Sequence, residues 1–113
     1  MPLLFCYGTL RLGDVQLATF GRLVGGENDE VPGCEREVIA IDDTQVVAST
    51  GRGEHVNLRF DRHPALRVSG TVLELTDAEL AEADRYEALS RYRRREVKLA
   101  SGRTAWAYVY SPE

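Results

Sequence analysis

Cysteine is scarce: Cys6 and Cys34 are the only two in 113 residues, and they follow no CxxC pattern. Two thiols so spaced make neither a disulfide framework nor a tetrahedral zinc site. They read instead as reduced, packed side chains in a reducing compartment. Histidine is as thin, with seven residues between His55 and His63 and no common zinc-ligand spacing, so no metal is expected. No apolar run approaches the ~20 residues that span a bilayer. The opening Met1-Pro2-Leu3-Leu4-Phe5 has neither a basic n-region nor a long apolar h-region. Positive charge is not in excess either: 14 Lys and Arg face 18 Asp and Glu, a formal net charge of −4. That balance argues against a general nucleic-acid or anionic-membrane binder. The expectation is a cytoplasmic protein with no nucleic-acid and no membrane partner. Linkers, repeats and low-complexity blocks are absent too, so one domain over 1–113 is expected.

Leu, Ile, Val and Phe together number 29 of 113 residues, enough for one modest core. Pro2 to Tyr7 is a short apolar run that reads as a buried strand stopped by Gly8. A short helix is expected after Asp14, a reasonable N-cap for Val15 to Ala18. Gly25 to Asp29 is rich in turn formers and reads as an exposed turn. Strand candidates follow at Glu37 to Ile41, Gln45 to Ala48, Val56 to Phe60 and Leu66 to Leu75, with turn signals at Asp42-Asp43, Gly51-Arg52-Gly53 and His63-Pro64. Arg93 to Ala100 and Arg103 to Tyr110 form a hairpin pattern turned at Ser101-Gly102. Many short strands with one strong helix indicate an α+β domain, a small mixed β-barrel or curved sheet with one main helix.

That helix begins at Thr76-Asp77-Ala78-Glu79, a capping box. Each residue turns about 100° around a helix, so Leu80 and Glu87 share a face while Glu79, Glu82 and Arg85 point elsewhere. Leu80 marks the core-facing stripe and directs Glu87 inward, where an unpaired Glu is uncommon. The pattern leaves alternatives open: Glu87 could bend out to solvent or pair with Arg91, and Asp84 competes as a second inward carboxylate.

Leu3-Leu4-Phe5-Cys6-Tyr7-Gly8-Thr9-Leu10-Arg11 resembles the opening of the γ-glutamylcyclotransferase-like (AIG2-like) family, in which an apolar strand runs into a Tyr-Gly-[Ser/Thr]-Leu turn. The resemblance continues through Gly70 to Leu75, Ala83-Asp84-Arg85-Tyr86-Glu87, Tyr92-Arg93-Arg94, Gly102 and Trp106-Ala107-Tyr108. Glu27 to Arg62 matches poorly. The resemblance implies a barrel-like α+β fold with one cavity, and it puts the family's acid/base glutamate on Glu87. The implied chemistry is attack by the α-amine of a γ-glutamyl group on its own γ-carbonyl, giving 5-oxoproline and a free amine. The ring closes within one molecule, so no cofactor is implied.

Two tasks remain for the protein in such a reaction. Protons must move, which one carboxylate can do as base and then acid. A model Glu near pKa 4.3 and an α-amine near 8 leave about 5 kcal/mol of mismatch, which desolvation of Glu87 would reduce. Charge on the γ-carbonyl oxygen must also be stabilised, and the Tyr7-Gly8-Thr9-Leu10 turn can offer backbone N–H groups in a concave arrangement. Tyr92 and Tyr108 are candidate pocket walls with hydroxyls for the glutamyl head group, and Arg11 is a candidate for its carboxylate. Arg91, Arg93, Arg94 and Arg95 read as surface charge balanced by Glu35, Glu37 or Glu96. The partner expected is a small γ-glutamyl molecule, the assembly a monomer or weak homodimer. Two other readings compete: a non-catalytic binding or regulatory domain on the same scaffold, and a thiol enzyme using Cys6 with His55 or His63. Strand alternation speaks against the second, because Cys6 and Tyr7 point to opposite faces.

Overall fold

An apolar strand is buried on both faces only if something covers each side of it, and Leu3-Leu4-Phe5-Cys6 is covered in that way. The computed structural model describes residues 1–40 and 54–111. Its elements run β1 (Leu3–Cys6), a single 3₁₀ turn (Thr9–Arg11), α1 (Gly13–Phe20), β2 (Gly26–Pro32), β3 (Glu35–Ala40), β4 (Glu54–Arg59), β5 (Arg67–Glu74), α2 (Asp77–Ala88), β6 (Tyr92–Lys98) and β7 (Thr104–Tyr110). Five strands make one sheet in the order β2-β5-β1-β7-β6, and β3 pairs with β4 in a separate ribbon. β1 is central, antiparallel to β5 and parallel to β7, with Leu4 opposite Trp106. Its side chains divide between two cores. Phe5 and Tyr7 pack with Leu58, Val72 and Ala107 on the ribbon side. Leu4 and Cys6 pack with Leu73, Leu80, Ala83 and Tyr108 on the helix side.

Close approach of β5 to β1 depends on Gly70. A Cβ there would stand 2.5 Å from the Cys6 carbonyl oxygen and 2.7 Å from the Phe5 ring, so only glycine fits without moving a central strand. The capping box at the start of α2 forms: Glu79 N donates to Thr76 Oγ1 at 3.1 Å and Thr76 N to Glu79 Oε1 at 2.9 Å. Such a cap contributes about 1 kcal/mol. The β6–β7 hairpin forms as the pattern indicates, with Gly102 at φ +93° in its turn.

The structure corrects several expectations. Gly25 to Asp29 is not a turn, because Gly26–Pro32 is an edge strand paired with β5 over seven positions. Ladder pairing overrides the turn propensity, and an edge strand tolerates its polar side chains. Helix α1 starts one residue before Asp14, with Leu12 as N-cap, so Asp14 lies in the first turn instead of capping it. Among the described residues the sheet does not close into a barrel. Its two edges nevertheless meet at one end: Ala100 N donates to Glu30 O at 2.8 Å, and Ser101 Oγ donates to Asp29 Oδ2 at 2.6 Å. Asp29 is 9% exposed, and the Ser101 hydroxyl holds its carboxyl below the usual range. Curvature from strand twist brings these edges together without a ladder between them. The strand candidate Gln45 to Ala48 and the turn signals at Asp42-Asp43 and Gly51 to Gly53 lie outside the described residues. No helix among the described residues is long and apolar enough to cross a membrane.

Candidate active site

Where β1 ends, the chain bends at Tyr7 and Gly8 and enters the 3₁₀ turn. Three side-chain contacts hold that turn. Arg11 Nε donates to Gly8 O at 3.3 Å, and Thr9 Oγ1 and the Tyr86 hydroxyl lie 2.8 Å apart across to α2. Gln16, 5% exposed, donates from Nε2 to Leu10 O at 3.0 Å and accepts from Val24 N at 2.9 Å. A turn so short satisfies few of its own donors. The backbone of Gly8, Thr9 and Leu10 opens this turn on the cavity side.

Beside the turn lies a cavity of about 270 Å³. Phe5, Cys6 and Tyr7 form its floor, the Gly8–Leu12 segment one wall, Arg36, His55 and Val56 of the ribbon another, and Glu87, Tyr92 and Tyr108 the rest. Gly8 is pressed against the ribbon: a Cβ there would sit 3.2 Å from Val56 Cγ2.

Glu87 is half-buried near the C-terminal end of α2, one turn of face below buried Leu80 and Ala83. Desolvation alone pushes its carboxyl up to about 8. No ion pair or hydrogen bond to this carboxyl exists among the described residues to offset that cost. Glu79, eight residues earlier on the same helix, has the opposite fate. A bidentate pair with Arg22, at 2.6 and 2.9 Å, and the Thr76 cap lower it to about 2. Asp84 is also satisfied, accepting from Tyr108 Oη at 2.7 Å and pairing with Arg94 Nε at 2.9 Å. Glu87 is therefore the carboxylate left to the cavity.

The tyrosines are walls whose protons are already used. Tyr7 donates to the Tyr108 carbonyl, Tyr92 to the Val56 carbonyl and Tyr108 to Asp84. Burial pushes all three phenols upward, and the Glu87 charge adds to each. Tyr92 and Tyr108 thus stand as walls, and their hydroxyls can meet a ligand only as acceptors while these bonds last. Cys6 also departs from expectation, since it lines the cavity together with Tyr7. The cavity wraps over the end of β1, so both strand faces reach it. Burial, then the Glu87 charge, drives the Cys6 thiol up, the wrong direction for a nucleophilic thiolate. His63 lies outside the cavity, exposed, accepting from Ala65 N at 3.0 Å. Arg94 and Arg95 are not balanced by Glu35 or Glu37 as expected: Arg94 lies on Trp106 beside Asp84, and Arg95 stacks 3.8 Å over Phe60.

Residues 4–113 match the family described as gamma-glutamyl cyclotransferase, AIG2-like. The chain belongs to the γ-glutamylcyclotransferase, AIG2-like family. No curated protein matches the sequence. Among solved structures, one described as a gamma-glutamyl cyclotransferase aligns at a TM-score of 0.75 with 16% identity, covering 97% of this chain and 66% of that one. An uncharacterised protein from Homo sapiens aligns at 0.74 with 18% identity, over 96% of this chain and 66% of that one. A protein from Arabidopsis thaliana solved in solution aligns at 0.69 with 18% identity, over 98% and 69%. This AIG2-like chain thus spans just under two thirds of the first two of these. At such identities the likeness is one of fold. Sequence alone did not single out Arg36 and Val56 of this AIG2-like domain, and it offered His55 only as the base of a thiol enzyme. Arg36 sits in Glu35-Arg36-Glu37, which reads as solvated charge, and only the β3–β4 pairing brings it over the turn.

Proposed function

We propose that this AIG2-like domain is a cofactor-free cyclotransferase that converts a γ-glutamyl amine or γ-glutamyl amino acid into 5-oxoproline and the free amine. The observation that carries the reading is Glu87, a carboxyl at about 8 facing a small cavity without an ion pair. An α-amine also sits near 8. The mismatch of about 5 kcal/mol expected for an ordinary Glu is therefore largely removed, and proton exchange between the two is close to balanced. In this reading Glu87 takes a proton from the α-amine, and the amine nitrogen forms a bond to the γ-carbonyl carbon. Glu87 then returns the proton to the departing nitrogen as the old C–N bond breaks. Atoms balance without water, since the substrate divides into ring and amine.

The γ-carbonyl oxygen gains negative charge on the way. The backbone N–H groups of Gly8, Thr9 and Leu10, which line the cavity, are the donors suited to it, and each such donor is typically worth about 2.7–4 kcal/mol of barrier. Tyr7, Tyr92 and Tyr108 shape the walls and keep the site apolar enough to hold Glu87 where it is. The test is release of 5-oxoproline from a panel of γ-glutamyl compounds, with Glu87→Gln expected to lose at least about 100-fold in kcat. Binding across the panel without any product would favour a non-catalytic binding domain instead.

A further inference from the structure

Among the described residues, Arg22, Arg59, Arg67, Arg85, Arg94 and Arg103 are each ion-paired with an Asp or Glu. The two that line the cavity, Arg11 and Arg36, have no acidic partner among the described residues. They stand on different walls. Arg11 follows the Gly8–Leu10 donors, whereas Arg36 comes from β3, opposite Leu58 of β4, and is exposed where it lines the cavity. Its charge reaches inward far enough to act on the Tyr7 phenol. Glu87 is the one acid among the described lining residues, and the α-amine engages it in the cyclotransferase reading, so neither guanidinium has a carboxylate of its own there.

A γ-glutamyl head group brings one carboxylate, which the Arg11 wall can take. The second guanidinium then lacks a counterpart unless the other half of the substrate supplies one. We propose that Arg36 is a specificity residue that pairs with a carboxylate on the leaving amine, so that γ-glutamyl compounds with an acidic amine half are preferred over neutral ones. This rests on the cyclotransferase reading for the position of the head group. The cavity of about 270 Å³ lies below the usual range of drug-sized sites. The amine half is then the part left to extend toward the exposed Arg36. A guanidinium fork suits a carboxylate better than a point charge does. Because Arg36 is exposed, the expected preference is roughly tenfold and not more, equivalent to about 1.4 kcal/mol.

The experiment compares γ-glutamyl-alanine with γ-glutamyl-alaninamide, which differ only in the terminal carboxylate. The kcat/KM ratio of acid to amide, read by 5-oxoproline release, is expected near ten for the wild type. It should collapse to about one in Arg36→Gln and recover in part in Arg36→Lys. A wild-type ratio near one, or a ratio that survives Arg36→Gln, overturns the assignment while leaving the cyclotransferase reading intact. If neither compound yields product, that reading fails, and calorimetric titration of the same pair decides the role of Arg36. A preference for the acid that Arg36→Gln abolishes sustains it, and equal affinities overturn it.

Discussion

Replacing Glu87 by Gln should make the protein more stable in alkali and inactive at every pH, and both effects have one cause. In the folded state the carboxyl ionises near 8 in place of its ordinary 4.5. Between those values the unfolded chain has lost the proton and the folded one retains it. The unfolded state therefore binds fewer protons, and stability falls as pH rises through this window. The stability lost is present below about 4.5 and gone above about 8. At about 1.36 kcal/mol per pH unit the whole interval corresponds to about 5 kcal/mol. Water that reaches the half-buried carboxyl screens part of this, leaving about 2–3 kcal/mol to be observed. Gln is nearly isosteric with the protonated acid and never ionises. Urea unfolding followed by Trp106 fluorescence should give matching stabilities for the two proteins at pH 5. At pH 9 the Glu87→Gln variant should lead by about 2–3 kcal/mol. Turnover in the wild type should climb through about pH 8 as the base form appears, and Glu87→Gln should show no such rise. Parallel stability curves from pH 5 to 9, or wild-type turnover in the variant, would refute the assignment of a desolvated catalytic carboxyl.

Other substitutions separate binding from scaffold. Gly8→Val adds bulk where a Cβ already lies 3.2 Å from Val56 Cγ2, so it should raise KM at least about tenfold while changing the melting temperature by only a few degrees; a large loss of stability with normal KM would assign Gly8 to the scaffold alone. Gln16→Leu strands the Leu10 carbonyl and the Val24 N–H, at about 1–3 kcal/mol for each buried group, and denaturant titration should register about 2–4 kcal/mol of lost stability. Cys6→Ser should keep essentially full activity, since burial holds the thiol protonated; a dead but folded Cys6→Ser protein would revive the thiol-enzyme alternative.

Much of the scaffold was legible because local and long-range preferences agree. The Thr76–Glu79 spacing specifies a helix start from four residues, and the Leu80–Glu87 periodicity predicts which side chains share a face. The Tyr7–Leu10 turn, Glu87, Tyr92 and Tyr108 were each flagged, and the structure puts all of them on one cavity. What stayed hidden depends on pairing partners far away in the chain. Gly26-Glu27-Asn28-Asp29 carries turn chemistry, and only its ladder with Asn28↔Thr71 and Asp29↔Gly70 makes it a strand. Arg36 and His55 belong to the ribbon, whose register no local pattern encodes. Hydroxyl partners were equally out of reach, since the Tyr7 donor finds a carbonyl 101 positions along the chain.

The parallel pairing of Leu4 with Trp106 has a consequence for biogenesis. Translation yields β1 and its turn early, yet the flanking strand β7 emerges about a hundred residues later. Until it does, the segment that delivers Gly8 has a neighbour on one side at most. Nascent chains and C-terminal truncations stopping short of Thr104 should expose a sticky, aggregation-prone strand, and competence for ligand should arrive only once synthesis has passed it.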